Sequence, residues 1–255
     1  MVKRELSAEL AEKLNAFQDG VADEAERIVW ELFPQKVLDL QALVTTIATT
    51  PTHPLHASQF SRAAVVTTPS IPSSSTHAPA AGSSKKRKLE NGAEANGEAH
   101  EGKVKYLESV PENKQVTGEM EALRTEFEQL VSLVDKVKLW VNLKMPKVED
   151  GDNFGVEVQE QVLAELHRAQ DSGLNLLDGL KTYHLNRAKI CSKLIKYPNL
   201  PDYAEALRRH DEKAFFAIRQ NLVDLRSIYC VLMDILHKNI TKIRAPKGNN
   251  REALY

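Results

Sequence analysis

The stretch Val116-Thr117-Gly118-Glu119-Met120-Glu121-Ala122-Leu123-Arg124-Thr125-Glu126-Phe127-Glu128-Gln129-Leu130 continues through Val134 and Val137 to Val141 with apolar residues at alternating steps of four and three. That spacing follows one face of an α-helix, with charged residues filling the other positions. The pattern does not slip before Pro146, which stops it. It is the cleanest helical pattern in the chain and sets the fold class, because the segments on either side repeat it.

Upstream, Leu6, Leu10, Leu14, Phe17, Val21, Ile28 and Leu32 form one apolar stripe, and Val37, Leu40, Val44 and Ile47 resume it after Pro34. The reading is a first helix with a kink or short break at Pro34, ending near Thr50. Downstream, Val158, Val162, Leu166, Leu177, Leu180, His184, Cys191, Leu194 and Ile195 mark a third helix that ends by Pro198, weakened locally by Gly173 and Gly179. A fourth runs from about Asp202 through Leu207, Phe215, Ile218, Leu222, Leu225, Tyr229, Leu232, Leu236 and Ile240 to about Arg244. No strand pattern rivals these. Four long helices, three of them joined by short connections, predict an all-α antiparallel four-helix bundle. Leu139, Trp140, Ile228 and Ile235 lie beside the main stripes; an oligomer contact and a wide core stripe both fit them.

Between the first two helices the composition turns to Ser, Thr, Pro, Ala, Gly and Glu with almost no periodic apolar residues, the signature of a disordered insert. Closing so long a loop costs only a logarithmic entropy term, so the helices on either side can still pack together. The expected organisation is therefore residues 1–50 as helix one, 51–112 as the insert, 113–244 as helices two to four of the same bundle, and 245–255 as a flexible C-terminal tail.

The 255 residues are 42% hydrophobic and 27% charged with a net charge of −1. That is ordinary for a soluble globular chain and gives no global attraction to nucleic acid or an anionic membrane. Cys191 and Cys230 are the only cysteines, which argues against a disulfide scaffold and for a reducing compartment. The polar start at Met1-Val2-Lys3-Arg4-Glu5 does not read as a signal core, and no stretch is long and apolar enough to span a bilayer. The glycosylation triplet at Asn239 falls in a helix and is set aside.

Catalysis and metal binding find no support. His53, His56, His77 and His100 lie in the insert, and His167, His184, His210 and His237 read as surface or satisfied helical residues. There is no paired-cysteine zinc motif, glycine-rich phosphate loop or His-Glu-x-x-His helix. Asp150-Gly151-Asp152 followed by Gly155 approaches a calcium loop, but Phe154 replaces an oxygen ligand and Gln161 stands where the closing glutamate belongs. No metal or other cofactor is expected. Lys85-Lys86-Arg87-Lys88 is one dense basic run; nuclear import, a solvated charge run and a nucleic-acid contact all fit it, the last least because no aromatics interleave.

The connection after the second helix is too elaborate for a plain turn: Pro146, Lys147, Val148, Glu149, Asp150, Gly151, Asp152, Asn153, Phe154 and Gly155 crowd acidic, amide, aromatic and glycine positions into one projecting segment. Glu149 and Asp150 can accept hydrogen bonds, Gly151 and Gly155 allow unusual backbone angles, and Phe154 is expected to pack the loop onto its bundle.

Together with Lys138-Leu139-Trp140-Val141, Arg187-Ala188-Lys189, Lys196-Tyr197-Pro198, Phe33-Pro34 and the terminal Leu254-Tyr255, this segment resembles the REG, or 11S, family of proteasome activators, most closely its gamma type. The resemblance covers nearly the whole chain apart from the insert. It implies a homoheptameric ring of four-helix subunits that docks on the 20S core proteasome without ATP, and an activator of a protease, not an enzyme. It implies that residues 146–155 are the activation loop that opens the gate, that Leu254 and Tyr255 make the docking contact, and that Lys189 faces the channel. Peptides and poorly folded proteins would be the substrates, degraded without ubiquitin, with no membrane or nucleic-acid partner. The context favours nuclear import for Lys85 to Lys88 and a nuclear location, with the cytoplasm as a second compartment. Asp152 stands where family loops commonly have Asn, exchanging a donor for a charged acceptor. This leaves two further readings, a nuclear helical scaffold that opens the gate weakly and a nucleic-acid-binding protein.

Overall fold

A serine cap opens the first helix. In the computed structural model, which describes residues 6–60, 110–147 and 154–247, Ser7 has extended backbone and its Oγ accepts the Leu10 N–H, satisfying one of the donors a helix start leaves open. α1 (Ala8–Arg27) passes through one π-helical turn, Ile28–Leu32, directly into α2 (Phe33–Thr49). The kink or break expected at Pro34 is thus a π bulge in a continuous rod. Proline has no N–H to give the preceding turn, and the Phe33 N–H reaches back to Ile28 O instead of to the carbonyl four residues before it.

Three longer helices follow: α3 (Lys114–Lys144), α4 (Phe154–Lys196) and α5 (Pro201–Arg244). Asn113 caps α3 by accepting the Val116 N–H, and Pro201 sits at the start of α5, where its missing N–H costs nothing. α4 runs unbroken through Gly173 and Gly179.

Side-chain pairs fix the directions. Glu24 meets Lys136 and Lys36 meets Glu126, so the first rod is antiparallel to α3. Gln170 meets Asp135 and Gln159 meets the Lys144 carbonyl, which makes α3 and α4 antiparallel. Arg187 and Gln159 meet Asp211 and Ile243, which does the same for α4 and α5. Arg244 with Glu26 and Arg226 with Gln41 close the four-helix bundle. The expected fold class holds.

The predicted stripe of α3 is its buried face, from Val116 to Val141, and Trp140 joins it in the core. Leu139 remains exposed, and Ile228 and Ile235 pack partly against the core. Two expectations change. The first half of the α1 stripe, Leu6, Leu10, Leu14 and Phe17, is exposed, Phe17 by 55%, because Leu6, Leu10 and Leu14 precede the level at which α3 ends and Phe17 stands at it. With Glu24 opposite Lys136 and equal rise along both helices, α1 passes the end of α3 at about residue 16. On α4, Tyr183 takes the core position that periodicity gave to His184, which is exposed.

Candidate functional site

One end of the bundle gathers the end of α3, the start of α4 and the end of α5. α3 stops at Lys144 because Met145 turns to extended backbone, as a residue before proline must. Pro146 is half-buried and Lys147 exposed; Val148 to Asn153 lie outside the described residues. The chain is described again from Phe154, the first residue of α4.

Gly155 is buried, and a Cβ there would run into the Pro246 carbonyl oxygen. Its backbone is helical, so glycine is required by this close approach and not by the unusual backbone angle the sequence suggested. Phe154 is 55% exposed, against the expectation that it packs the loop down; its ring carries Lys242 Nζ at 5.9 Å from its centroid, a cation–π contact to the last turns of α5.

Gln159, one turn further along α4, is fully buried. Its Nε2 donates to Ile243 O at 2.9 Å and to Lys144 O at 3.3 Å. Both acceptors lie in the final turns of their helices, whose carbonyls lack intrahelical donors. The feet of the 146–155 segment and the root of the C-terminal tail are therefore tied together at one end. Leu254 and Tyr255 lie outside the described residues.

The opposite end carries the two flanks of the 51–112 segment. Its first residues, expected to belong to a disordered insert, are instead packed on the bundle: Leu55 is buried, Ala57–Gln59 form a 3-10 turn, and Phe60 stacks on Phe215 with ring centroids 6.0 Å apart. On the returning side, Asn113 Nδ2 donates to Asp211 Oδ2 at 3.0 Å, while Tyr183 OH and Arg187 Nε donate to Asp211 Oδ1 at 2.9 and 3.3 Å. Arg187 also donates to Pro111 O. Asn113, Tyr183, Arg187 and Asp211 are all buried, so the carboxylate has exchanged water for protein donors, three of them among the described residues. Burial, then the Asp211 charge, holds the Tyr183 hydroxyl far above the usual tyrosine range, and burial pushes the Cys191 thiol up. Lys85, Lys86, Arg87 and Lys88 lie outside the described residues. Lys189 is exposed on the same stretch of α4 as Arg187.

Gln159 and Asp211 escaped the sequence reading. Each is a polar residue on an apolar stripe, Gln159 with Val162 and Leu166, Asp211 with Leu207, Ala214 and Ile218; that interruption was the available signal. Among the described residues no group of three or more His, Cys, Asp or Glu is placed to hold a metal, and no helix is long and apolar enough to cross a membrane.

Comparison with known proteins now decides the family. Patterns described as Proteasome activator PA28, N-terminal and Proteasome activator PA28, C-terminal match residues 8–53 and 109–253. The chain belongs to the PA28 family of proteasome activators. Proteasome activator complex subunit 3 of Gallus gallus is 33% identical over 246 residues, 95% of each chain, and that of Homo sapiens is 32% identical over the same share. These relatives bear out the gamma-type resemblance. Among solved structures, the 11S subunit of the Plasmodium falciparum proteasome, PA28, superposes with a TM-score of 0.76 at 32% identity, covering 97% of this chain and 99% of that one. The activator chain in an archaeal 20S proteasome complex with mutated P26 activator shares the fold at a TM-score of 0.61 and 13% identity, covering 94% and 99%. The two PA28 patterns bracket the insert, so the family fold and the two-ended bundle coincide.

Proposed function

We propose that this PA28-family protein is an ATP-independent activator of the 20S core proteasome that acts as a homoheptameric ring. The observation that carries this reading is that both feet of the 146–155 segment and the root of the tail lie at one end of the bundle, joined through Gln159 and the Gly155–Pro246 contact. A ring docking by that end would present its loop and its tails to the same surface. Leu254 and Tyr255 dock; the loop then favours the open gate by binding it better than the closed one, a population shift without a covalent step. The protein regulates a protease and is not itself an enzyme. Each tail binds weakly, and a preformed ring turns weak contacts into stable docking through effective concentration.

Phe60 and Asn113, which flank the segment holding the basic run Lys85, Lys86, Arg87 and Lys88, sit at the end away from the loop feet and the tail root, which fits an import signal separate from the docking face. This supports a nuclear activator, with a cytoplasmic pool, that promotes ubiquitin-independent degradation of peptides and poorly folded proteins. Lys189, exposed on α4, is the candidate for a ring of like charges along the channel. Asp152 favours a second reading, a nuclear scaffold that docks but opens the gate weakly, because an added carboxylate replaces an amide donor in the loop.

The test is hydrolysis of short fluorogenic peptides by latent 20S proteasome, with wild type, a variant lacking Leu254-Tyr255, and Asp152→Asn. Stimulation by wild type that disappears with the tail supports activation by docking. Stimulation by Asp152→Asn alone supports the scaffold, and no stimulation or comigration by any form sinks the activator reading.

A further inference from the structure

Three helix ends meet on one amide. The Gln159 side chain spends both N–H groups on carbonyls from different helices, Ile243 of α5 and Lys144 of α3, while its own backbone lies in the first turns of α4. Because both partners are carbonyl oxygens, only the orientation that points Nε2 at them is allowed. Gln159 is fully buried and so is its bond to Ile243 O, while the bond to Lys144 O is part-buried; losing the donors would strand the buried Ile243 acceptor and loosen the Lys144 carbonyl.

A few residues away, Gly155 removes any side chain between α4 and the Pro246 carbonyl, so backbone rests on backbone. Close-packed contacts of this kind pass displacement on instead of absorbing it. Lys144 immediately precedes the foot of the 146–155 segment, and Ile243 and Pro246 bracket the point at which the tail leaves α5.

We infer that Gln159 is a positioning residue that registers the foot of the activation segment against the root of the docking tail, so that where the tail is held dictates where the segment stands. This rests on the activator reading above. Tail and loop are then not independent parts: docking places the loop through Gln159, and the Gly155–Pro246 contact is the second point that fixes the angle between them. A residue acting only as a helix cap would affect stability, but not the stimulation produced by each docked ring.

Gln159→Met keeps the length and volume of the side chain and removes both donors. On the free full-length protein, amide hydrogen exchange should quicken together at Met145 and Ala245, the two residues that follow α3 and α5, on the order of tenfold for a lost buried hydrogen bond. Unchanged exchange at either position overturns the pin whether or not the protein activates a proteasome. With latent 20S proteasome, peptide hydrolysis per docked ring should fall by a similar factor at saturating ring. Wild-type stimulation by docked Gln159→Met rings would overturn the positioning role, whereas failure of the wild type to stimulate would sink the activator reading and leave the exchange result to decide the pin. Gly155→Ala approaches the same joint from the other side. Alanine favours helix, so the variant should keep α4 while displacing Pro246 and raising the ring concentration needed for half-maximal docking; unchanged docking and unchanged exchange at Ala245 would overturn the backbone contact's share.

Discussion

His237 donates its Nε2–H to the backbone carbonyl of Val29 at 2.9 Å, from the C-terminal part of α5 to the π turn of the first rod. Val29 O would receive the Phe33 N–H in an α-helix, but that N–H has gone to Ile28 O, and the next residue, Pro34, has none to give. The histidine thus repairs a defect that the proline creates, and Trp30 covers it by stacking on the imidazole with centroids 4.2 Å apart. His237→Ala should destabilise the subunit by about 1–3 kcal/mol, the cost of an unsatisfied buried carbonyl. Pro34→Ala restores an N–H, so in that background the loss should shrink. A double-mutant cycle in urea measures this coupling, and additive effects would show that proline and histidine are unrelated.

Two buried tyrosines give opposite expectations at neutral pH and the same one in alkali. Tyr183 donates to Asp211, so Tyr183→Phe should cost about 1.5–3 kcal/mol, the range for a hydrogen bond to a charged group. The Tyr229 hydroxyl is buried without a hydrogen-bond partner among the described residues, and Tyr229→Phe should be neutral or stabilising by up to about 1 kcal/mol.

Burial raises both hydroxyls above the ordinary value of 10.0. The folded chain keeps both protons where the unfolded chain releases them, so their stabilisation is complete below pH 10 and is lost as pH rises beyond it. Each should contribute about 1.4 kcal/mol per pH unit to the alkaline slope of stability. Unfolding midpoints compared between wild type and each phenylalanine variant should show that slope reduced in both; an unchanged slope would contradict the burial.

The helices were readable because their burial follows a period. α3 is the clearest case, since its side chains from Val116 to Val141 meet the core at regular steps. What the period could not show was where a neighbour stops. Leu10 and Leu14 share the α1 pattern with Ile28, yet of the three only Ile28 is buried. Nor could it show a polar residue doing core duty. Gln159 and Asp211 are buried because distant backbone or side-chain groups meet them, Ile243 O for one and Asn113 for the other, and those meetings exist only after the helices have packed. Gly155 was noticed for its conformational freedom, but what it supplies is room for Pro246.

The glycines of α4 separate propensity from packing. A Cβ on Gly179 would meet nothing within 4 Å, so Gly179→Ala should stabilise the helix by about 0.5–1 kcal/mol through reduced backbone entropy. A Cβ on Gly173 would lie 3.1 Å from Val131 Cγ2, and the same propensity gain is offset there by crowding between α3 and α4. Thermal unfolding should therefore rank Gly179→Ala above both wild type and Gly173→Ala. A larger gain at Gly173 would show that Val131 moves aside freely.

The overhanging start of α1 separates folding from assembly. Leu10, Leu14 and Phe17 are exposed in the single subunit, so replacing them with polar residues removes little that holds one bundle together. In a ring, the same stripe lies at the end that carries the loop feet and the tail root, where a neighbouring subunit can cover it, and burying one such side chain stabilises by about 1.5–3 kcal/mol. A Leu10→Glu, Leu14→Glu, Phe17→Glu variant should keep the helical circular dichroism of the wild type and change its unfolding midpoint little under conditions that dissociate the ring. Its sedimentation should shift from ring toward free subunit at micromolar concentration. On the proposed function, in which a ring docks through many tails acting together, stimulation should be lost with the ring even though Leu254 and Tyr255 are intact. Wild-type sedimentation by this variant would mean that the stripe faces something other than a second copy of the chain.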